Sequence, residues 1–303
     1  MGPEPRSRSG APLPRRPFPV GRRGFVILAL LLIGAWAWVT LDLDAGDLIV
    51  GGEDFETAAE FLGRMFTPAL THESEGTFET PLLMMSLKAA GSTVAFAGAA
   101  MGLSILFGLV LGFFASTAWW GERGTGRSPV VRALSVSVAP TIYAFTRTFI
   151  TLMRSVHEVW WALLFLIMFP TTPTSAILAI AIPYGGTLAK IYSEMIDEAS
   201  RAPALALKGL GASGLQIYGF GLIPSALPDM TAYTFYRFEC ALRSATVLGF
   251  FGTFGLPPTL GVRIREAFGA TDYGEAWTHL WMLVILVVVF DWWSGAVRRR
   301  LVG

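Results

Sequence analysis

The sequence is poor in the residues that build most catalytic and metal centres. It has a single cysteine, Cys240, which excludes an internal disulfide and a cysteine-based metal cluster. Its three histidines, His72, His157 and His279, lie far apart without ligand-type spacing, so a histidine site would have to be assembled by folding. Charge is scarce too. Of the 303 residues 15% are charged and 53% hydrophobic, and mean hydropathy is +0.55. A soluble domain of this size carries more charge. The net charge of +1 names no partner by bulk electrostatics and gives no ground for nucleic-acid binding. A nucleotide-binding loop is nearly spelled at 121–128, but Arg127 stands where the lysine belongs. That segment also follows an apolar run ending in Trp119 and Trp120 instead of a strand, so its glycines read as a turn.

What the chain does have is apolar runs of membrane length. A tail over 1–23, with six arginines among prolines, has nothing to bury and is expected to be disordered. A first membrane helix is expected over 24–43. A cleaved signal peptide is the rival reading, disfavoured by run length, Trp36 and Trp38, and the lack of a clean cleavage site. Residues 44–80 are acidic, which puts them outside and the arginine-rich tail in the cytoplasm. Within them Phe55, Ala58, Ala59, Phe61, Leu62 and Phe66 mark an amphipathic helix, lying either at the outer interface or against the rest of the protein.

Residues 81–303 are expected to form the core. A span over 82–115 carries Gly98, Gly102, Gly108 and Gly112, spaced for close helix approach. An interfacial elbow over 141–154 leads to a short span over 156–169. Further spans are expected over 175–193, 225–248 and 277–297, the last anchored by Trp292, Trp293 and Arg298 to Arg300. The total is six spans, an all-α membrane protein with both termini inside. Lys190 and Glu194, at i,i+4 spacing, read as an ion pair at a cytoplasmic helix end.

Arg237, Glu239 and Arg243 interrupt the span over 225–248. Charged groups at that depth face a bundle interior or a wet cavity. Glu239 and Arg243 share a helix face and can pair, whereas Arg237 has no acid four residues away. The set is either a locked structural network or a path for an oxyanion, with Arg237 available to the ion.

Between two spans, 194–224 forms a partly polar loop. It opens on Glu194, Asp197, Glu198 and Arg201, continues through Pro203, Leu205, Leu207 and Lys208, turns at Gly209, Gly211 and Ala212, and closes on Leu222-Ile223-Pro224. Together with Arg154-Ser155-Val156-His157-Glu158-Val159-Trp160, the stretch from Tyr233 to Glu239, and Arg243-Ser244-Ala245-Thr246-Val247-Leu248-Gly249, it resembles the permease of a phosphonate ABC importer. That family belongs to the wider methionine-importer-like permeases. The resemblance runs from about residue 53 onward and departs at three places. Leu205 stands for the usual glutamate, His157 for the usual proline, and Gly252-Thr253-Phe254-Gly255-Leu256 for a richer glycine gate.

The resemblance implies a type I ABC-importer permease fold in a bacterial inner membrane, with no catalytic residue, cofactor or metal of its own. It implies a second copy of the chain, two ATP-binding subunits docked on Pro203 to Ala212, an extracytoplasmic solute-binding protein, and a gate around Gly249, Gly252 and Gly255. The solute would be phosphonate or a related phosphorus oxyanion. Another small solute such as methionine, or a lipid-phosphate enzyme, are the alternatives.

Overall fold

The computed structural model describes residues 22–42, 51–72, 81–118, 129–170, 172–252 and 257–302. All regular structure among them is helical. The chain divides into two compact units, Met1–Ala59 and Glu60–Gly303. The basic tail up to residue 21, the nucleotide-loop look-alike and Gly255 fall outside the described residues.

In the first unit, α1 spans Arg22–Thr40, and the next helix, α2 (Gly52–Arg64), begins there. The outward face of α1 is apolar nearly throughout, with Leu30, Leu31, Trp36 and Val39 exposed. A helix that is apolar all round belongs in lipid.

In the second unit, α3 (Leu82–Ala115) is 34 residues long. At 1.5 Å per residue it measures about 51 Å, well beyond the ~30 Å hydrocarbon core, so it tilts or projects. The chain then forms α4 (Pro129–Ser155), α5 (Glu158–Met168) and α6 (Thr174–Glu198). A connector follows: α7 (Ala202–Gly209), α8 (Gly214–Ile217) and a π turn, Tyr218–Leu222. The path then continues through α9 (Ile223–Phe251), α10 (Leu260–Gly269) and α11 (Tyr273–Val302).

Helices α3 and α6 form the central pair. A Cβ on Gly108 would lie 2.7 Å from Cβ of Leu188, and one on Gly112 would lie 3.3 Å from the Ala189 carbonyl. These two glycines therefore serve close approach, as their spacing predicts. Gly98 and Gly102 face open space, so the first half of that motif has no packing role in this chain. Gly185 and Gly186 of α6, which the motif search passed over, admit Phe107 of α3 and Met153 of α4.

Among the described residues three helices are long and apolar enough to cross a membrane: α3, α6 and α11 as far as Arg299. The segment Pro140–Ser155 and α5 together make a fourth, bent by 93°. The short span expected over 156–169 is thus an 11-residue helix, about 16 Å long, able to cross only half a bilayer. It becomes a span only jointly with the elbow before it. His157 forms the joint: its backbone is extended and its Nδ1 accepts the Val159 N–H at 3.3 Å. The apolar part of α1, Gly24–Thr40, is short of the full length. Helix α9 carries Asp229, Arg237, Glu239 and Arg243, which lower its hydropathy.

From Glu60 onward the chain is fastened to α11. Trp277 Nε1 donates to the Phe61 carbonyl at 2.6 Å, Trp281 Nε1 to Met65 at 2.9 Å, and Ala69 N–H to Gly274 at 3.1 Å. Phe61 stacks among Phe268, Tyr273 and Trp277. The end of the amphipathic segment therefore packs on the protein. A buried polar layer adjoins it: His72 Nδ1 meets Glu275 at 2.8 Å, and Ser86 Oγ meets His279 Nδ1 at 2.8 Å. His72 and His157 each meet a single glutamate, Glu275 and Glu158, His279 meets Ser86, and no metal-type cluster exists among the described residues.

Candidate functional site

Helix α9 has two unlike faces. Met230, Ala241, Leu242, Ala245 and Leu248 are buried in the main core. On the other side Asp229, Tyr233, Tyr236, Arg237, Cys240, Arg243 and Ser244 fall within an arc of about 120° at 3.6 residues per turn. Tyr236 is exposed and the Arg243 side chain is 56% exposed, so this polar stripe is open in the single chain.

Arg237 sits at the midpoint of α9. Its guanidinium lies over the Tyr184 ring, 4.3 Å from the centroid, a cation–π contact. Its Nε is buried without a hydrogen-bond partner among the described residues. The Tyr184 hydroxyl is 2.8 Å from Ser244 Oγ, and Ser244 donates to Glu158 Oε1 at 2.7 Å. Because the serine proton is committed to the carboxylate, Tyr184 is the donor to Ser244. Glu158 opens α5, where a helix N-terminus favours a carboxylate, and His157 Nε2 lies 3.6 Å from its Oε2.

The structure thus joins two stretches that the sequence keeps 86 positions apart: one around Glu158 and one around Ser244. Glu158, Tyr184 and Ser244 were not singled out by sequence reasoning. The signal available was that Glu158 and Ser244 both fall in the stretches that carried the resemblance. The expected Glu239–Arg243 pair forms at 2.6 Å, separate from this network. Lys190 and Glu194 pair at 3.4 Å, and Arg147 of α4 approaches the same carboxylate at 3.8 Å.

The glycine region is partly described. A Cβ on Gly249 would lie 2.4 Å from Thr259 Oγ1, and one on Gly261 would lie 1.9 Å from the Thr246 carbonyl. These two glycines let α10 lie directly on α9. Gly252 is an extended helix cap.

In the connector, α6 runs on to Glu198, so Glu194, Asp197 and Glu198 lie on its last turns. Pro203 occupies the second position of α7, within the first turn that tolerates proline. Ala204 is buried, and Leu207 packs inward, its Cδ1 3.2 Å from the Cβ position of Gly221. Leu205, Leu210, Leu215 and Phe220 are exposed, and Lys208 lies in the last turn. Gly211 has φ +81°, the left-handed region that a side chain rarely adopts, and carries the turn. Gly209 ends α7 with free space around it. Ala212 N–H returns to the Leu207 carbonyl at 3.1 Å, and Ser213 and Gln216 form a capping box at α8. Burial raises the Tyr218 hydroxyl pKa well above the usual range, and the Asp197 carboxylate adds to this. The result is an apolar-tipped knob in the chain between α6 and α9.

Residues 65–303 match the family described as the binding-protein-dependent transport system inner membrane component. The chain belongs to that family. It is an inner-membrane permease component of a binding-protein-dependent transport system, not an enzyme. Among similar proteins is a putative phosphite transport system permease protein, HtxE of Stutzerimonas stutzeri, 33% identical over 53% of this chain. That match spans only 60% of HtxE. A second, HtxC of the same organism, is 26% identical over 90% of this chain and 84% of its own length. A solved structure of the MetNI methionine ABC transporter, in an inward-facing conformation, covers 72% of this chain and 96% of its own. With a TM-score of 0.56 and 18% identity, it bears on the fold alone.

Proposed function

We propose that this permease conducts phosphonate, phosphite or a related phosphorus oxyanion across the membrane along the polar stripe of α9. The observation that carries this reading is Arg237. It is a cation at mid-helix on the open stripe, with a buried Nε that has no hydrogen-bond partner among the described residues, linked through Tyr184 and Ser244 to the break between α4 and α5. Transporters place their sites at such interrupted helices. A guanidinium suits an oxyanion because its planar fork meets two oxygens at once. The phosphite permeases among its relatives point the same way. The site is open on one side, which a second copy of the chain would close, giving a two-fold path and two docking knobs.

Each knob, residues Pro203 to Ala212, docks on an ATP-binding subunit, with Leu205 and Leu210 as its apolar tips. A solute-binding protein delivers the ion from outside, and the end of α9 at Gly252 marks the outer gate, whereas the buried Gly249 serves the contact with α10. In the test, permease, ATPase and binding protein are reconstituted in liposomes and offered phosphite, methylphosphonate, phosphate and methionine. Uptake of phosphite or methylphosphonate at least tenfold above methionine is expected. Uptake of methionine alone refutes the oxyanion path.

The proposal carries a topology. Both termini and the connector are cytoplasmic, residues 44–80 are outside, and six spans connect them. Single cysteines at Glu56 and Ser213 in a Cys240→Ser background are therefore expected to react with impermeant reagent from opposite sides. Labelling of both from one side overturns the arrangement.

A further inference from the structure

The knob is continuous with two helices, α6 at its start and, through the π turn, α9 and its polar stripe at its end. A third link, to α3, is a set of hydrogen bonds made by one side chain. Asp197, on the last turn of α6, accepts the Ser116 hydroxyl at 2.7 Å and the Ala118 N–H at 3.0 Å on Oδ1. On Oδ2 it accepts the Thr117 N–H at 3.0 Å. Ser116 is where the chain leaves α3, with an extended backbone, and it is fully buried. One carboxylate thus holds the end of α3 to the start of the connector. Tyr218 of the π turn reaches the same place, its ring meeting Phe113 of α3 edge-on at 4.9 Å.

We propose that Asp197 is the positioning residue that makes α3 move with the docking knob, so that ATPase closure drives α3 as well as α6 and α9, to which the knob is joined. The inference rests on the ATPase docking described above. The geometry supports a clamp more than a passive cap. Hydrogen bonds to a charged acceptor are about twice as strong as neutral ones, and this carboxylate makes three to consecutive residues of another segment. The Phe113–Tyr218 ring contact also links the end of α3 to the connector, but it lacks the directionality of these three bonds.

Two measurements test the proposal on the full chain. Spin labels at Ala206 on α7 and Leu109 on α3, both exposed, report the distance between knob and helix in nanodiscs. A narrow distribution is expected for the parent chain and one at least twice as broad for Asp197→Ala. An unchanged width overturns the clamp, whatever the chain transports. The second measurement is ATP hydrolysed per phosphite taken up, at matched amounts of assembled complex. The ratio is expected to rise about twofold for Ser116→Ala, which loses one bond. It should rise further for Asp197→Asn, whose amide nitrogen cannot accept the Thr117 N–H, and at least tenfold for Asp197→Ala. A purely structural Asp197 lowers the amount of complex and leaves the ratio alone, which overturns the coupling role. If Asp197→Ala does not assemble, Ser116→Ala and Asp197→Asn decide by the same ratio. If the parent chain binds no ATPase, the functional reading fails, while the label distances still judge the clamp.

Discussion

Gly261→Ala is expected to abolish recovery of folded permease. The added Cβ would lie 1.9 Å from the Thr246 carbonyl oxygen and 2.7 Å from the Phe250 nitrogen. Both are backbone atoms of α9, so no rotamer change relieves the clash, and α10 must lift off. Overpacking a core costs about 1–3 kcal/mol when side chains can adjust. Here they cannot, and the loss should exceed that range, a large share of the ~5–15 kcal/mol that holds a domain together. Gly269→Ala is the control. Nothing lies within 4 Å of its Cβ, so yield and melting temperature should match the parent chain. The measurement is monodisperse yield in detergent with the thermal midpoint of what is recovered. A Gly261→Ala protein melting at the parent temperature would show that the α9–α10 contact is not as drawn.

That contact also marks what could and could not be read from the chain alone. Helices α3, α6 and α11 were legible because an apolar run of membrane length has few other destinations. The docking knob was legible because glycine, proline and charge punctuate it. Gly211 earned its place by a left-handed backbone, which sequence can suggest but not assign among neighbouring glycines. What stayed hidden depends on contacts between distant segments. Gly249 was noticed as part of a glycine-rich stretch, but its partner Thr259 and the stricter need at Gly261 arise only from the fold. Glu158 and Ser244 were each inside a noticed motif, yet the bond between them spans 86 positions. The break after Ser155 was legible as the join between an elbow and a short span, because Arg154, Ser155, His157 and Glu158 interrupt the apolar content there, whereas its 93° angle arises only from the fold. The Asp197 carboxylate looked like one more charge at a helix end, because its three partners come from residues 116–118.

Replacing Arg237 with alanine is expected to cut oxyanion uptake by about 10- to 100-fold while the complex still assembles. Hydrogen bonds to charged groups contribute about 1.5–3 kcal/mol, and each 1.4 kcal/mol is tenfold. Arg237→Lys should fall between, since it keeps the charge but presents a point donor in place of the planar fork. Assembly should survive because the other contacts at the site, from Tyr184 through Ser244 to Glu158, do not pass through the guanidinium. Arg243 supplies the contrast. Its pair with Glu239 is a structural ion pair on the same stripe, with the arginine side chain 56% exposed and the glutamate 21%. It is more open than the fully buried pairs whose breaking costs about 3–5 kcal/mol, so Arg243→Ala should reduce uptake less than Arg237→Ala in the assembled complex. The readout is initial uptake in proteoliposomes, normalised to assembled complex and measured against oxyanion concentration. A guanidinium that meets the ion in passage makes the deficit persist at saturating binding protein, because the path itself is impaired. Were Arg237→Ala to transport at the parent rate, the residue would only brace the Tyr184 ring, and the ion would have to travel elsewhere along α9.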